Sequence, residues 1–248
     1  MHQDFSDWSP PIDPLDLQPH QVDIWRVFLD LPPVTVKSFE STLSEGESQR
    51  AARFHFPADR DRYIIAHGCL RDILSRYLQN KPSQLNFSKN SYGKPVLENH
   101  TLDFNLSHSK AFALIIVAQG CKVGIDVECI RSNMEHEKIA NRFFSSSEVT
   151  ELMALPVEQK ITGFFNCWTR KEAYIKARGL GLSLPLDSFD VTLSPNEPVH
   201  LRSAHPNPQE ARCWTLISLE IDAGYVAAAA IDDRELNVRL WDWNATTR

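Results

Sequence analysis

Residues 104–129 read FNLSHSKAFALIIVAQGCKVGIDVEC, and this stretch decides the fold that the sequence predicts. The apolar run Ala111–Ala118 and the segment Val123–Glu128 each have the length and composition of a strand. Gln119-Gly120 separates these two segments, so we expect them to form a β-hairpin. A further strand is expected just before them, over Leu102–Ser107. The middle of the chain is therefore predicted to be a group of short antiparallel strands.

Helices are expected on both sides of these strands. Ser44-Glu45-Gly46-Glu47 has the spacing of a capping box and predicts a helix start, and Pro57 suits the first turn of a second helix that reaches about Gln79. Gly179 is expected to end the last of three later helices, which are predicted at Glu137–Phe143, Ser146–Ala154 and Glu158–Ala177. The other expected strands are Val22–Leu29, Leu85–Ser88, Phe189–Leu193, Arg212–Leu219, Tyr225–Ile231 and Val238–Trp241.

This order of elements predicts an α+β fold of two pseudo-symmetric halves, each with helices packed on a small antiparallel sheet. We expect an extended N-terminal arm over residues 1–20, a first half over 21–120 and a second half over 121–248. No repeat is visible residue by residue, so the duplication is inferred from the order of elements alone. No low-complexity linker separates the halves, which favours one body with its site between them.

The composition limits the possible partners and the compartment. The 248 residues are 42% hydrophobic and 23% charged, with a formal net charge of −6, so no general positive field favours nucleic acid. The five cysteines form no CxxC pair, which favours reduced thiols in a cytoplasmic protein over a zinc site or disulfides. The N-terminus has no apolar signal region, and no apolar run approaches the roughly 20 residues of a membrane span.

Asp126 and Glu128 are the first candidates for chemistry. Residues at i and i+2 of a strand face the same side, about 7 Å apart along the chain. Two carboxylates in this arrangement can converge on Mg²⁺, which prefers oxygen ligands and leaves positions for substrate phosphates. The alternative is a solvated strand face, which a D-x-E pair alone does not exclude.

Trp168, Glu172 and Lys176 are spaced i, i+4 and i+8, so they share one face of the predicted helix. A surface Glu–Lys pair is the simpler interpretation of such spacing. The same helix carries Phe164 and Phe165, however, so much of it is expected to be buried. A charged pair on a mostly buried helix needs a partner such as a metal or an anion.

His108 lies between two serines at the end of a predicted strand, where it is either structural or a donor to a phosphate. Positive charge is added by Arg50, Arg53, Arg60, Arg62 and Lys94, of which Arg53 and Arg60 are expected to be solvated. The sequence has no nucleotide-binding glycine loop and no G-x-S-x-G motif.

Taken together, these motifs resemble the 4′-phosphopantetheinyl transferases of the surfactin-synthetase-activating type. The resemblance covers roughly residues 20–230, and the blocks match in order and spacing. They are Arg62 with Arg71, Tyr92-Gly93-Lys94-Pro95, Phe104-Asn105-Leu106-Ser107-His108-Ser109, Gly124-Ile125-Asp126-Val127-Glu128, and Trp168-Thr169-Arg170-Lys171-Glu172-Ala173-Tyr174-Ile175-Lys176.

The resemblance implies a monomer that binds coenzyme A in the cleft between its halves. It implies that Mg²⁺, or Mn²⁺ as an alternative, is held by Asp126, Glu128 and Glu172. Glu172, Lys176 and His108 are the implied catalytic residues, and Glu148 matches a further acidic position. The implied contacts to coenzyme A are Arg50, Arg62, Gly93, Lys94, Pro95, Ser107, His108, Lys171 and Lys176.

The activity that the resemblance implies is transfer of the 4′-phosphopantetheine arm to a serine of an acyl or peptidyl carrier protein. Nucleic acid and membrane are not expected partners. Because this chain and such carriers are both acidic, attraction would come from a local basic patch or from apolar docking. The candidates for the patch are Arg170, Lys171, Lys176 and Arg178, of which Lys176 is expected to be occupied by the site.

Two other functions remain compatible with the motifs. The same carboxylates would serve a Mg²⁺-dependent hydrolase or nucleotidyl transferase, which would not need the His108 and Gly93-Lys94-Pro95 blocks. The chain could also be a non-catalytic module that docks carrier domains, although such a module would not need the acidic residues and Lys176.

Overall fold

The computed structural model describes residues 5–12, 14–195 and 197–243, which contain six α-helices and eleven strands. The helices are α1 (Pro33–Glu40), α2 (Glu45–Ala51), α3 (Pro57–Leu78), α4 (His136–Phe143), α5 (Ser146–Ala154) and α6 (Val157–Arg178). The strands are β1 (Gln21–Phe28), β2 (Phe87–Lys89), β3 (Pro95–Leu97), β4 (Leu102–Ser109), β5 (Phe112–Gln119), β6 (Val123–Cys129), β7 (Phe189–Val191), β8 (Leu201–Ala204), β9 (Thr215–Leu219), β10 (Tyr225–Ile231) and β11 (Asn237–Trp243).

The two main sheets stack between the two longest helices. The first sheet has the strand order β11-β1-β5-β4 and carries α3 on its outer face, whereas the second has the order β6-β10-β9 and carries α6. A third apolar layer fills the space between the sheets, where Ile24 and Ile116 of the first meet Ile125 of the second. The predicted α+β class with two related halves is confirmed.

The local signals for helix ends are confirmed. Ser44 and Glu47 form both hydrogen bonds of the capping box at the start of α2, and α3 begins at Pro57. α6 ends at Gly179, whose φ of 65° is the left-handed conformation that favours glycine. The sequence does not predict β3, β8 or α1. In α1, the consecutive β-branched residues Val34, Thr35 and Val36 disfavour a helix. Burial of Val36 and Phe39 stabilises α1 against that preference.

The predicted hairpin between Ala111–Ala118 and Val123–Glu128 is wrong. β5 pairs with β1 and β4, whereas β6 pairs with β10 in the other sheet. The chain instead reverses between β4 and β5, where Lys110 has a φ of 52°. Both segments are apolar on two faces, so the sequence pattern fits two arrangements. They can pair edge to edge in one sheet, or they can pack face to face across an apolar layer, as they do here.

The first sheet also differs from the predicted antiparallel arrangement. β11 pairs with β1 in parallel, from Gln21 with Asn237 to Val27 with Trp243. The last described strand therefore returns to the sheet of the first half. The division of the chain at residues 120 and 121 stays a prediction.

The N-terminal arm is described from Phe5 onward, except for residue 13. Phe5 forms a parallel bridge to Leu219, and Trp8 Nε1 donates a hydrogen bond of 2.7 Å to the carbonyl of Glu220. The arm thereby covers part of the edge strand β9, which would otherwise present unpaired backbone groups.

A repeated buried ion pair relates the two halves at the level of single residues. In the first half, Arg71 of α3 pairs with the capping-box residue Glu47 at 2.7 Å and donates to the carbonyls of Pro82 and Leu85. In the second half, Lys171 of α6 pairs with the capping-box residue Glu148 at 2.7 Å. Its ammonium also donates to the carbonyls of Leu186 and Phe189. Each pair joins a short helix to the long helix that follows it.

Within the described ranges, no helix is both long enough and apolar enough to cross a membrane.

Candidate active site

Three polar side chains of β4 bridge the two sheets. The Asn105 side-chain oxygen accepts from the backbone N–H of Ile125 at 2.9 Å, and the Ser107 hydroxyl donates to Asp126 Oδ1 at 2.8 Å. Further along, the Ser109 hydroxyl donates to Glu128 Oε2 at 3.0 Å. Because alternate residues of a strand share a face, these side chains form a row that fixes the carboxylates of β6 against β4.

Asp126 is the centre of this arrangement. Its side chain is buried, and Oδ1 accepts from both the Ser107 hydroxyl and the Lys176 ammonium, which lies at 2.6 Å. Its second oxygen, Oδ2, is buried and has no hydrogen-bond partner among the described residues. A buried carboxylate oxygen without a partner is costly, and it marks a position where a cation would be stabilised.

Glu128 and Glu172 lie within electrostatic reach of Asp126. Burial raises the pKa of Glu128, and the negative charge of Asp126 raises it further. Burial also raises the pKa of Glu172, which the Lys176 ammonium lowers and the carboxylates of Asp126 and Glu128 raise. The structure therefore brings the three predicted acidic residues into one mutually repelling group.

The donor set fits a hard divalent cation. Carboxylate oxygens from Asp126, Glu128 and Glu172 are the ligands that Mg²⁺ prefers, and a cation would relieve both their repulsion and the unpartnered Oδ2. In the side-chain conformations observed, no three His, Cys, Asp or Glu side chains of the described residues are already close enough together to hold a metal. Binding would therefore require side-chain rotation of the glutamates.

The closeness of α6 to β6 places Glu172 and Lys176 over Asp126. A Cβ atom added to Gly124 would lie 2.2 Å from the carbonyl oxygen of Ala173 and 2.3 Å from the backbone nitrogen of Ala177. Only glycine permits this approach, because any side chain would overlap the helix backbone. Lys176 therefore reaches both Asp126 and Ser107 from the helix above.

His108 lies next to this group on β4. Its side chain is exposed, yet burial by surrounding protein is the largest cause that lowers its pKa. Exposure combined with dense surroundings is typical of a side chain that lines a cleft. Electrostatic interaction with His67, Lys176 and Arg50 also lowers its pKa, so basic groups from three elements, α2, α3 and α6, gather around it.

Arg50 and Arg62 occupy different environments. The Arg50 guanidinium is exposed and lies over the Tyr63 ring, 5.8 Å from its centroid, on the His108 side of the site. Arg62 forms two hydrogen bonds with Asp30, at 2.7 and 3.0 Å. Arg50 is therefore available to an anion, whereas Arg62 already has a carboxylate partner.

The loop Tyr92-Gly93-Lys94-Pro95 is tied to the end of α6. The Asn90 side chain accepts from the backbone N–H groups of Tyr92 and Lys94 and donates to the carbonyl of Gly179 at 2.8 Å. Gly93 has a φ of 92°, which explains glycine at this turn. The Lys94 ammonium pairs with Asp103 at 2.6 Å and also donates to the carbonyl of Val123 at 3.0 Å. Through Gly179 and Val123, this loop contacts the second half.

The Lys171 side chain lies apart from Asp126 and the other candidate site residues. It follows Arg170 on α6 and precedes Glu172 by about 100° around the helix. Its side chain has no exposed surface and pairs with Glu148, which is equally buried. A contact with coenzyme A would break this ion pair, so the expectation for Lys171 is corrected here to a structural role. Glu148 is likewise held away from the carboxylate group.

Sequence reasoning missed Asn105, Ser109 and His67. The alternation of polar and apolar residues in Phe104–Ser109 could have identified the first two, because Asn105, Ser107 and Ser109 share a strand face. His67 carries no comparable signal, since its position depends on the packing of α2 against α3.

Comparison with known proteins agrees with this arrangement. Residues 122–230 match the 4′-phosphopantetheinyl transferase superfamily, and residues 34–120 match the N-terminal region of 4′-phosphopantetheinyl transferases. The chain belongs to the 4′-phosphopantetheinyl transferase superfamily, and it is an enzyme of that class.

Its relatives cover nearly the whole chain. It is 38% identical over 240 residues to 4′-phosphopantetheinyl transferase HetI of Nostoc sp.. These residues cover 95% of this chain and 98% of HetI. It is 31% identical over 208 residues to 4′-phosphopantetheinyl transferase Sfp of Bacillus subtilis, or 83% of this chain and 90% of Sfp. A putative 4′-phosphopantetheinyl transferase of Synechocystis sp., slr0495, is 31% identical over 201 residues, or 80% of this chain and 79% of that protein.

Proposed function

We propose that this enzyme transfers 4′-phosphopantetheine from coenzyme A to a serine hydroxyl of an acyl or peptidyl carrier protein, with Mg²⁺ as cofactor. The observation that carries the proposal is the unpartnered Oδ2 of Asp126, beside Lys176 and within reach of two further carboxylates. A cationic region around His108 lies next to this acidic group. The acidic group would bind a cation and the basic region would bind phosphates, and a pyrophosphate substrate with its metal ion needs both.

Asp126, Glu128 and Glu172 would hold the cation. Mg²⁺, or Mn²⁺ in its place, would supply charge neutralisation for the pyrophosphate. Ser107 and Ser109 hold Asp126 and Glu128 in position through their hydroxyl groups. These serines therefore act as positioning residues for the carboxylates.

In the transfer step, the serine oxygen of the carrier forms a bond to the β-phosphorus of coenzyme A. The bond from that phosphorus to the oxygen of adenosine 3′,5′-bisphosphate breaks, and the bisphosphate leaves. Glu172 accepts the serine proton, directly or through a water that it orients. Positioned proton transfer of this kind contributes about 10²–10⁴-fold to rate.

Lys176 and His108 contact the phosphates in this proposal. The Lys176 ammonium donates to the charge that develops on the transferred phosphate, from a position where it already reaches Ser107 and Asp126. His108 and Arg50 bind phosphate groups on the other side of the cleft. Gly93, Lys94 and Pro95 form the loop expected to contact the adenosine end, and Arg62 is kept as a weaker candidate because of Asp30.

We also propose that the enzyme acts as a monomer in the cytoplasm. Asp126, Lys176 and His108 all come from one chain, so the proposed site needs no residue from a second copy. Sedimentation of the purified protein, with and without coenzyme A, should show one copy in the active fraction. Activity found only in a dimeric fraction would contradict this proposal.

The test is incubation of several apo carrier proteins with coenzyme A and Mg²⁺, followed by intact-mass analysis. The wild-type enzyme should add the mass of one phosphopantetheine arm to at least one carrier. Asp126→Asn should add none, whereas Glu98→Gln, on the exposed loop after β3, should act as wild type. Release of adenosine bisphosphate from coenzyme A without any carrier would favour the hydrolase instead.

A further inference from the structure

A cavity of about 1230 Å³, which we call the β9 cavity, lies against the edge strand β9. The sheet order β6-β10-β9 places it at the opposite edge of the second sheet from Asp126. Thr162, Asn166 and Arg170 line one wall of it, and their spacing of four residues puts them on one face of α6. The candidate residues of the active site, all of which the structure describes, are not among those that line it. The β9 cavity is therefore separate from the site already described.

The Arg170 guanidinium at this cavity is buried and only partly hydrogen-bonded. Nη1 donates to the carbonyl of Thr192 at 2.6 Å and to the Thr192 hydroxyl at 3.3 Å, and Nη2 donates to the Ser218 hydroxyl at 3.2 Å. Nε is buried and has no hydrogen-bond partner among the described residues. A guanidinium has five N–H groups, so at least two of them lack an acceptor here. Because Arg170 is only 3% exposed, its expected place in a basic surface patch is wrong.

The described residues supply no counterion for this guanidinium. Glu197 and Glu151 act on Arg170 electrostatically, but both pair with Arg202, at 2.6 and 2.5 Å. Burial is the largest cause that acts on the pKa of Arg170, which is lowered to about 10. A buried guanidinium without a carboxylate partner is costly, and an anion beside it would offset that cost.

The other walls of the β9 cavity favour an organic acid over an inorganic anion. Phe5, Trp8 and Val199 contribute apolar surface to the lining. The Ser218 hydroxyl accepts from Arg170, so its own hydrogen can be donated to a ligand oxygen. Arg170 is the one buried cation among the described residues that line the cavity, which matches a single negative charge. A cavity of this volume accommodates a molecule with a carbon skeleton, whereas a free ion would leave most of it unfilled.

We propose that the β9 cavity is a second ligand site of this enzyme, where Arg170 binds the carboxylate of an organic monocarboxylic acid and the apolar wall contacts its hydrocarbon part. Thr192 and Ser218 act as positioning residues, because they hold the guanidinium through Nη1 and Nη2. Nε and the remaining N–H of Nη2 lie on one edge of the planar group, and such an edge matches the two oxygens of a carboxylate. Binding here needs neither Mg²⁺ nor coenzyme A, so this site does not depend on the proposed function.

The test is isothermal titration of the purified enzyme with benzoate and with benzamide, an uncharged molecule of nearly the same shape. Wild type should bind benzoate about tenfold more tightly or better, as expected when hydrogen bonds to a charged group form. Arg170→Met should bind the two ligands equally. The matched control Arg53→Met, which removes an exposed arginine between α2 and α3, should keep the preference. Equal affinities of wild type for benzoate and benzamide would overturn the proposal.

A milder variant keeps the proposal testable if Arg170→Met does not fold. Ser218→Ala removes only the hydroxyl that holds Nη2, so it should weaken benzoate binding about threefold and leave benzamide binding unchanged. An equal change for both ligands would contradict the positioning role.

Two measurements locate the bound acid. Saturating coenzyme A and Mg²⁺ should leave the affinity for benzoate unchanged, whereas competition would place benzoate in the active site and overturn the proposal. Bromine anomalous scattering from crystals soaked in 4-bromobenzoate should show the bromine in the β9 cavity, with the carboxylate at Arg170. A bromine found only elsewhere would overturn the proposal as well.

Discussion

At the scale of single residues, two buried carboxylates of this enzyme differ in whether both of their oxygens have partners. Glu148 has every oxygen paired, with Lys171, the backbone of Ser145 and the backbone of Val191. Asp126 is as well buried but keeps Oδ2 without a partner. Satisfied buried charges hold a fold together, whereas an unsatisfied one is retained at a cost that function explains. This contrast separates the structural carboxylate from the one that binds a cation.

Lys171 should therefore be required for stability and dispensable for binding. Lys171→Ala leaves the Glu148 charge buried and unpaired, which should cost about 3–5 kcal/mol in free energy of unfolding measured by urea denaturation. Lys171→Arg should fold with a smaller loss, because Arg71 fills the equivalent place in the other half. Its KM for coenzyme A should match wild type. If Lys171→Ala were as stable as wild type but had a raised KM for coenzyme A, the structural role would be contradicted and Lys171 would be a substrate-binding residue.

Glu47 should make stability depend on acid pH. Its pKa is about 2 in the folded protein, below its ordinary value of 4.5. The stabilisation is therefore fully present above pH 4.5 and is lost as the pH falls toward 2, by about 1–2 kcal/mol after solvent screening is allowed for. The difference in free energy of unfolding between wild type and Glu47→Gln should shrink between pH 5 and pH 2.5. A difference that stays constant over this range would contradict the assignment.

At the scale of elements, the approach of α6 to β6 matters most. Glu172 and Lys176 come from the helix and Asp126 from the strand, so their meeting depends on how closely the two pack at Gly124. The sequence predicted the bounds of α5 and α6 well, because capping and C-terminal glycine signals are local. It could not predict which strands pair with β5 and β6, because those apolar segments are buried on both faces.

Gly124→Ala should damage both stability and transfer. The added Cβ would overlap the backbone at Ala173 and Ala177, so α6 must shift, at a cost of about 1–3 kcal/mol in free energy of unfolding. We expect kcat to fall more than tenfold, since Lys176 moves with the helix. Gly46→Ala is the matched control, because nothing lies within 4 Å of its added Cβ. Equal behaviour of the two variants in thermal unfolding and transfer would contradict this role for Gly124.

At the scale of the whole molecule, two related halves contribute different residues to one candidate site. The second half supplies the carboxylates and Lys176, and the first supplies His108, Arg50 and the serine row of β4. The sequence predicted the duplicated α+β fold, and the family resemblance supplied most of the candidate residues, whose roles stay predictions. It could not predict the repeated ion pairs of Arg71 and Lys171, because different cations occupy the two positions. Nor could it predict the parallel strand β11, which depends on a contact more than 200 residues away.

The central claim is that Asp126, Glu128 and Glu172 surround one divalent cation beside Lys176. The most direct measurement is anomalous diffraction from crystals grown with Mn²⁺ and coenzyme A. We expect one strong anomalous peak within coordination distance of Asp126 and of at least one of the two glutamates, and no such peak in crystals of Asp126→Asn. A metal bound elsewhere in an active enzyme, with Asp126 still paired only to Lys176 and Ser107, would contradict it.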